Sequence, residues 1–341
     1  MKKQNVFLGV LTVSLSLFLM ACGGSENTNS ASSEANVGGS EQSYTFRVSL
    51  VTPLSHGWTV TAEKFNEELQ SRSSGRMSAE IYPSEQLGSE ADMVQQLELG
   101  TLDFGFLTNA YMSTRSESLN GWFMPFLFKN LKDASQARNS EVAKQMLTEL
   151  ESQGLIGMDF IFAGNRHVLM KDGAIESPED LAGKKLRIIG NPVMQDFWTG
   201  LGVSPTPMPL VEVYSSIQTG IIDGIEIDLD ALVSLNLHEI ADDLTLTNQM
   251  AFPSVIIMSQ KVHDSLSPED QAIVKEALHA AVEWGVEDAI KREEENLKFL
   301  QEQGLNIVDD FDITPFKEIQ DEIYTKYSTN SLISEFIEAN Q

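Results

Sequence analysis

The sequence predicts an α/β protein made of two lobes, and three observations carry that prediction. Strand-like and helix-like segments alternate in two successive series, one from residue 44 and one from residue 166. An apolar strand at 253–260 follows the second series and is placed to return to the first lobe. A single helical stretch then runs from 268 to about 303, far longer than the three or four turns of an ordinary globular helix. A βαβα rhythm of this kind argues for layered lobes with a largely parallel sheet.

In the first series, Phe46, Val48 and Leu50 alternate with polar residues and mark a strand over 44–51. A helix is expected over 58–70, a second strand over 77–82 and a helix over 89–99, stopped by Gly100. The apolar run 102–107 is the third strand. The second series opens at 166–170, and Ser177-Pro178 supplies a helix start with a cap and a proline at the first helical position. Strands follow at 185–189, 203–208 and 221–227, separated by helices at 192–201 and 211–219. The long helix ends at Gly304, and 305–341 holds a short strand and one or two helices.

The first 21 residues read as a secretory signal, with Lys2 and Lys3 ahead of a short apolar run. Leu19-Met20-Ala21-Cys22 resembles a bacterial lipobox, so Cys22, the chain's one cysteine, is the expected lipidation site. That leaves no thiol for disulfide, metal or catalysis. Residues 22–43 hold Val37 as their one large aliphatic side chain and read as a flexible tether, roughly 25 Å in r.m.s. span. The expected location is therefore the extracytoplasmic face of the cell membrane, held by lipid. Fifty acidic against 23 basic residues give a net charge of −27, and losing the signal would make it more negative still. Such a surface excludes nucleic acid and anionic membrane as partners.

The five histidines show no metal-ligand spacing, and there is no G-x-S-x-G elbow, P-loop or G-x-G-x-x-G. Glu226, Asp228 and Asp230 are spaced like part of a calcium loop, but Ala231 stands where its glycine belongs. No cofactor or metal is called for. The arginines say more. Of eight, Arg72, Arg76, Arg138 and Arg292 sit on predicted helices or turns where a solvated face accounts for them. Arg166 and Arg187 lie in apolar, strand-like settings at the start of the second series. A buried guanidinium must meet an acceptor, either an internal carboxylate or one on a ligand, and the residue pattern leaves both open for each.

Several words in fixed order then make the chain resemble the solute-binding proteins of TRAP transporters, the tripartite ATP-independent carriers. They are Pro83-Ser84-Glu85-Gln86-Leu87-Gly88, Gln95 to Asp103, Pro125-Phe126-Leu127-Phe128, Lys184-Lys185-Leu186-Arg187, Pro207-Met208-Pro209, and Gln218 to Gly224. The resemblance covers about residues 44–304. It implies an α/β, two-lobed clamshell of the periplasmic-binding-protein type, with ligand in the cleft and a long helix spanning both lobes. Lobe I would comprise 44–164 and 254–292, and lobe II 165–253 and 293–341.

By the same resemblance Arg187 is the primary carboxylate anchor and Arg166 a second arginine that touches ligand or holds the cleft together. Glu90, Thr108 and Ser254 match cleft-facing positions, while His56 and Trp58 precede the first helix, where an aromatic side chain can cover the ligand. Two departures limit transfer of a substrate. Ile227 replaces an asparagine that helps hold the carboxylate in many relatives, and Leu210 replaces a stacking phenylalanine. Asp228 and Glu90 would instead accept from ligand hydroxyls, so the expected ligand is a hydroxylated organic acid: a uronate, aldonate or keto-sugar acid. The expected partners are the sodium-coupled membrane subunits. Two rival readings keep the same cleft: a ligand-sensing lipoprotein for a receptor kinase, and a surface lyase or hydrolase using Glu90 or Asp228 as base.

Overall fold

The structure is a computed structural model that describes residues 42–341. The signal segment, Cys22 and nearly all of the tether lie outside the described residues. In chain order the first elements are β1 (Tyr44–Leu50), α1 (Gly57–Arg72), β2 (Met77–Tyr82), α2 (Glu90–Leu99), β3 (Phe104–Thr108) and α3 (Asn109–Met112). Next come α4 (Leu131–Ala137), α5 (Glu141–Thr148) and β4 (Leu155–Asn165). The second group contains β5 (His167–Met170), β6 (Lys185–Ile188), α6 (Pro192–Gly200), β7 (Ser204–Pro207), α7 (Val213–Thr219), β8 (Gly224–Ile227), α8 (Leu229–Ser234) and β9 (Asp243–Thr245). The chain closes with β10 (Ala251–Ser259), α9 (Gln260–Ser265), α10 (Pro268–Gln303), β11 (Asn306–Val308), α11 (Lys317–Tyr327) and α12 (Ser331–Asn340).

Two sheets result, in the orders β2-β1-β3-β10-β4 and β11-β9-β5-β8-β6-β7. The first is less parallel than the strand–helix rhythm predicts. β1 runs parallel to β2 and β3, but β10 is antiparallel to both β3 and β4 because it enters from the other sheet. β4 gives way to β5 after a single residue, Arg166, whose N–H donates to the Met250 carbonyl at 2.7 Å just before β10. The β4–β5 and β9–β10 crossings between the sheets therefore meet at Arg166.

Local chemistry sets the ends of the helices. Ser89 and Asp92 form a reciprocal capping box at the start of α2, and Gly100 ends it with φ of 77°. Ser267 caps α10, Pro268 occupies its first position and Gly304 closes it at φ of 88°. At 36 residues, α10 is about 54 Å long. It lies against α1 and β4 on one side and α8 on the other, so it spans both halves. Contact with α1 is close enough that a Cβ on Gly285 would stand 2.3 Å from Thr61 Oγ1.

Some expectations need correction. The segment at 178–181 is a 3₁₀ turn rather than an α-helix. Arg138 is not on a solvated face: it is buried, with Nη1 donating to both Asp159 carboxylate oxygens at 2.9 and 2.7 Å. The C-terminal helix also departs from its expected lobe. α12 packs on α5 and the 3₁₀ turn Glu117–Phe123, with the Phe336 ring 4.7 Å from that of Trp122, because its buried face is aromatic and aliphatic and that site is too.

Candidate ligand-binding site

A cavity of about 340 Å³ opens between the two sheets, within the size range of small-molecule sites, roughly 300–1,000 Å³. Its walls come from the C-terminal ends of β1 and β3 on one side and of β6, β7 and β8 on the other. His56, Trp58, Glu90, Thr108, Arg166, Arg187 and Asp228 all line it. Ser254 does not. It is fully buried, and its Oγ donates to the Leu107 carbonyl at 2.8 Å, stitching β10 to β3.

The two arginines are each 2% exposed but differently occupied. Arg166 grips Glu226 bidentately, Nε to Oε2 at 2.7 Å and Nη2 to Oε1 at 2.9 Å, and Nη1 donates to Asp228 Oδ2 at 2.8 Å. Burial works against its charge, yet Glu226 and Asp228 outweigh that and raise its pKa. Among the described residues Arg187 has no carboxylate within ion-pair distance. Its Nε and Nη2 both donate to the Met208 carbonyl, at 3.1 and 2.8 Å, and Nη1 is buried with no acceptor among the described residues. The edge formed by Nε and Nη2 is thus taken by a neutral oxygen, while the end formed by Nη1 and Nη2 keeps its donors. Burial, with the Arg166 charge nearby, pushes the Arg187 guanidinium down to about 10, still protonated at neutral pH. A planar pair of donors fits one carboxylate.

Asp228 caps α8, its Oδ1 accepting from Ala231 N at 2.8 Å. Burial favours its neutral acid, but the His56 ring and the Arg166 charge prevail and hold the carboxyl well below the usual carboxylate range. His56 in turn caps α1. Its Nδ1 accepts from Trp58 N at 3.1 Å, which leaves Nε2 as the protonated nitrogen, 3.8 Å from Asp228 Oδ1. Both groups are therefore already engaged within the protein, and the ionised Asp228 is an acceptor and not a proton donor.

Across the cavity, Glu90 opens α2. Its Oε1 accepts from Thr108 N at 2.6 Å and its Oε2 from Thr108 Oγ1 at 3.1 Å. Burial pushes the Glu90 carboxyl up to about 7 against those two donors, with Glu85 adding to the rise and Arg187 opposing it.

The remaining wall is apolar. The Trp58 ring stacks on Phe252 at 5.9 Å and 11°, and the Arg166 guanidinium lies 4.3 Å over the Phe252 ring. Trp58 is buried and its Nε1 has no acceptor among the described residues. Sequence reasoning missed Phe252, Tyr111 and Met208, which all line the cavity. Met208 could have been found, since it lies in the Pro207-Met208-Pro209 word. Glu226 was seen as part of a failed calcium pattern, whereas it is the main counter-ion of Arg166.

Residues 48–330 match the model of the family described as bacterial extracellular solute-binding protein, family 7. The 2,3-diketo-L-gulonate-binding periplasmic protein of Escherichia coli K12 is 26% identical over 259 residues, covering 76% of this chain and 79% of that protein. Among solved structures, a TRAP periplasmic solute-binding protein of Xanthobacter autotrophicus Py2 with bound β-D-galacturonate superimposes with a TM-score of 0.82 at 26% identity, over 87% of this chain and all of that one. One from Sulfitobacter sp. NAS-14.1, also with β-D-galacturonate, gives 0.81 at 27% identity, over 87% of this chain and 99% of that one. With the family model spanning most of its length and the same two-sheet clamshell recurring in these structures, the chain belongs to the family 7 extracellular solute-binding proteins, the substrate receptors of TRAP transporters.

Proposed function

We propose that this receptor captures a monocarboxylate bearing hydroxyl groups, a uronate or aldonate, through Arg187 and delivers it to sodium-coupled membrane subunits. In this reading the mature chain is tethered by lipid on Cys22. The observation that carries the ligand class is Arg187 Nη1, which is buried and has no acceptor among the described residues. Two charge-assisted hydrogen bonds at about 1.5–3 kcal/mol each supply roughly 3–6 kcal/mol. Hydroxyl contacts need add only a few kcal/mol more to reach about 8 kcal/mol, the free energy of micromolar binding. Glu90 and Thr108 line the same cavity and would make such contacts, and the Trp58–Phe252 wall would suit the C–H face of a sugar ring. Galacturonate in two structurally similar receptors and diketogulonate in a curated relative support the same class.

A thermal-shift comparison of D-galacturonate with D-galactose tests it, because the two differ in the carboxylate that Arg187 would hold. At a hundred times its dissociation constant a ligand adds about 2.7 kcal/mol, which moves the midpoint by several degrees. The acid is expected to shift the midpoint and the neutral sugar to leave it in place. Equal shifts with both would remove Arg187 from the recognition.

A further inference from the structure

We propose that Glu90 is a specificity-determining residue that takes up one proton as the ligand carboxylate docks on Arg187, and that in the loaded cleft its acid O–H donates to a ligand oxygen. The proposal rests on the Arg187 reading above and goes beyond it, because it assigns the opposite wall a change of state. Glu90 and Arg187 line the same cavity from different sheets. Among the described residues Glu90 has neutral donors only: the Thr108 N–H and the Thr108 hydroxyl. That hydroxyl's own oxygen accepts from Tyr111 N at 3.0 Å.

The charges around Glu90 are unbalanced. On its own side stand Glu85, just before α2, and Asp92, held in the Ser89 capping box. Glu212, on the second-sheet side, raises Glu85 in turn. Elsewhere on the cavity wall, Arg166 is paired with two carboxylates, Glu226 and Asp228, with His56 turned toward Asp228. Arg187 is the cation that favours ionised Glu90, adding to the larger support of the two Thr108 hydrogen bonds.

A ligand carboxylate seated on Arg187 cancels that support, brings a second negative charge into the cavity and displaces water. All three changes favour the neutral acid. The N-terminus of α2 and the Thr108 donors favour the anion, so the empty site stays near balance, with burial holding the carboxyl at about 7. A site so poised changes state under a modest push. A neutral Glu90 also serves the ligand better, because an ionised one can only accept, while a carboxylic acid can donate to a ring or carbonyl oxygen.

The test is calorimetry of D-galacturonate binding to the full-length protein in two buffers of different ionisation enthalpy, repeated between pH 6 and 8.5, where the ligand stays ionised. The expected result is uptake of about half a proton or more near pH 7.5, with affinity falling toward tenfold per pH unit above that. In Glu90→Gln the uptake should vanish and the pH dependence flatten. Buffer-independent heats, or the same uptake in Glu90→Gln, would overturn the proposal. A ¹³C-carboxyl titration of the empty protein judges it without any ligand: Glu90 titrating in the ordinary range, near 4.5, would overturn it too. Binding of galacturonate itself scores the Arg187 clamp, and the proton count scores Glu90.

Discussion

Arg166 and Arg187 carry the same side chain at the same burial, and neighbouring strands give them opposite roles. β5 runs antiparallel to β8 with His167 opposite Ile227 and Val168 opposite Glu226, so Arg166, one step outside that register, meets Asp228 and reaches Glu226. Arg187 sits in β6 with Thr206 on one flank and Ile225 on the other. No acid is in register with it, and a main-chain carbonyl is what it finds. The difference teaches that a buried cation becomes a binding group when the fold withholds its counter-ion. Arg166 holds the crossing between sheets together, and Arg187 keeps a donor without an acceptor among the described residues, which is what the proposed carboxylate clamp rests on.

The sharpest way to break this contrast is to truncate both arginines and measure affinity and stability for each. Arg187→Ala should lose about 3–6 kcal/mol of ligand binding, the worth of two charge-assisted hydrogen bonds, or more than a hundredfold in affinity. Its unfolding free energy should change little, since the lost partner is one carbonyl. Arg166→Met should do the reverse. It strands Glu226 and Asp228 in the interior, and breaking a buried pair costs about 3–5 kcal/mol. Denaturant titrations and calorimetry of both variants decide it. If Arg187→Ala unfolded as easily as Arg166→Met, the two sites would not differ as argued.

A gentler probe uses His167, next to Arg166 in the chain. Burial, with the Arg166 charge helping and Asp228 opposing, holds its imidazole at about 3. The unfolded chain titrates near 6.5 and binds the proton first, so stability is fully present above about pH 6.5 and falls as pH drops from there toward 3. The loss amounts to as much as several kcal/mol. His167→Gln should flatten stability over that window, and an unchanged slope there would exclude His167 as its source.

Much of the frame was legible from sequence because local chemistry wrote it. The stops Gly100 and Gly304 and the alternation of Phe46, Val48 and Leu50 each act within a few residues of their effect. The region from α3 to β4 was not legible. β4 contains Gly157 and Asp159, which spoil a strand pattern. They make sense only through tertiary partners: a Cβ at Gly157 would stand 2.8 Å from the Leu147 carbonyl oxygen, and Asp159 exists to meet Arg138. The site was legible in its residue types but not in its occupancy. Nothing local distinguishes an arginine facing Glu226 from one facing Ile225. The family resemblance located Arg187, and register explains it.

Ser254 gives the smallest expected effect and separates resemblance from geometry most cleanly. Its position matches a cleft-facing one in relatives, yet here its hydroxyl is turned to the Leu107 carbonyl inside the first sheet. Ser254→Ala should therefore cost about 0.5–1.5 kcal/mol of stability, the net value of one buried hydrogen bond. Galacturonate affinity should be unaltered, because the removed group reaches a strand neighbour and not the cavity. Urea unfolding and calorimetry on the same preparation read the two numbers. A fall in affinity with stability intact would place Ser254 back in the cleft. It would also mean that β10 shifts against β3 when ligand arrives, carrying Phe252 and the Trp58 wall with it.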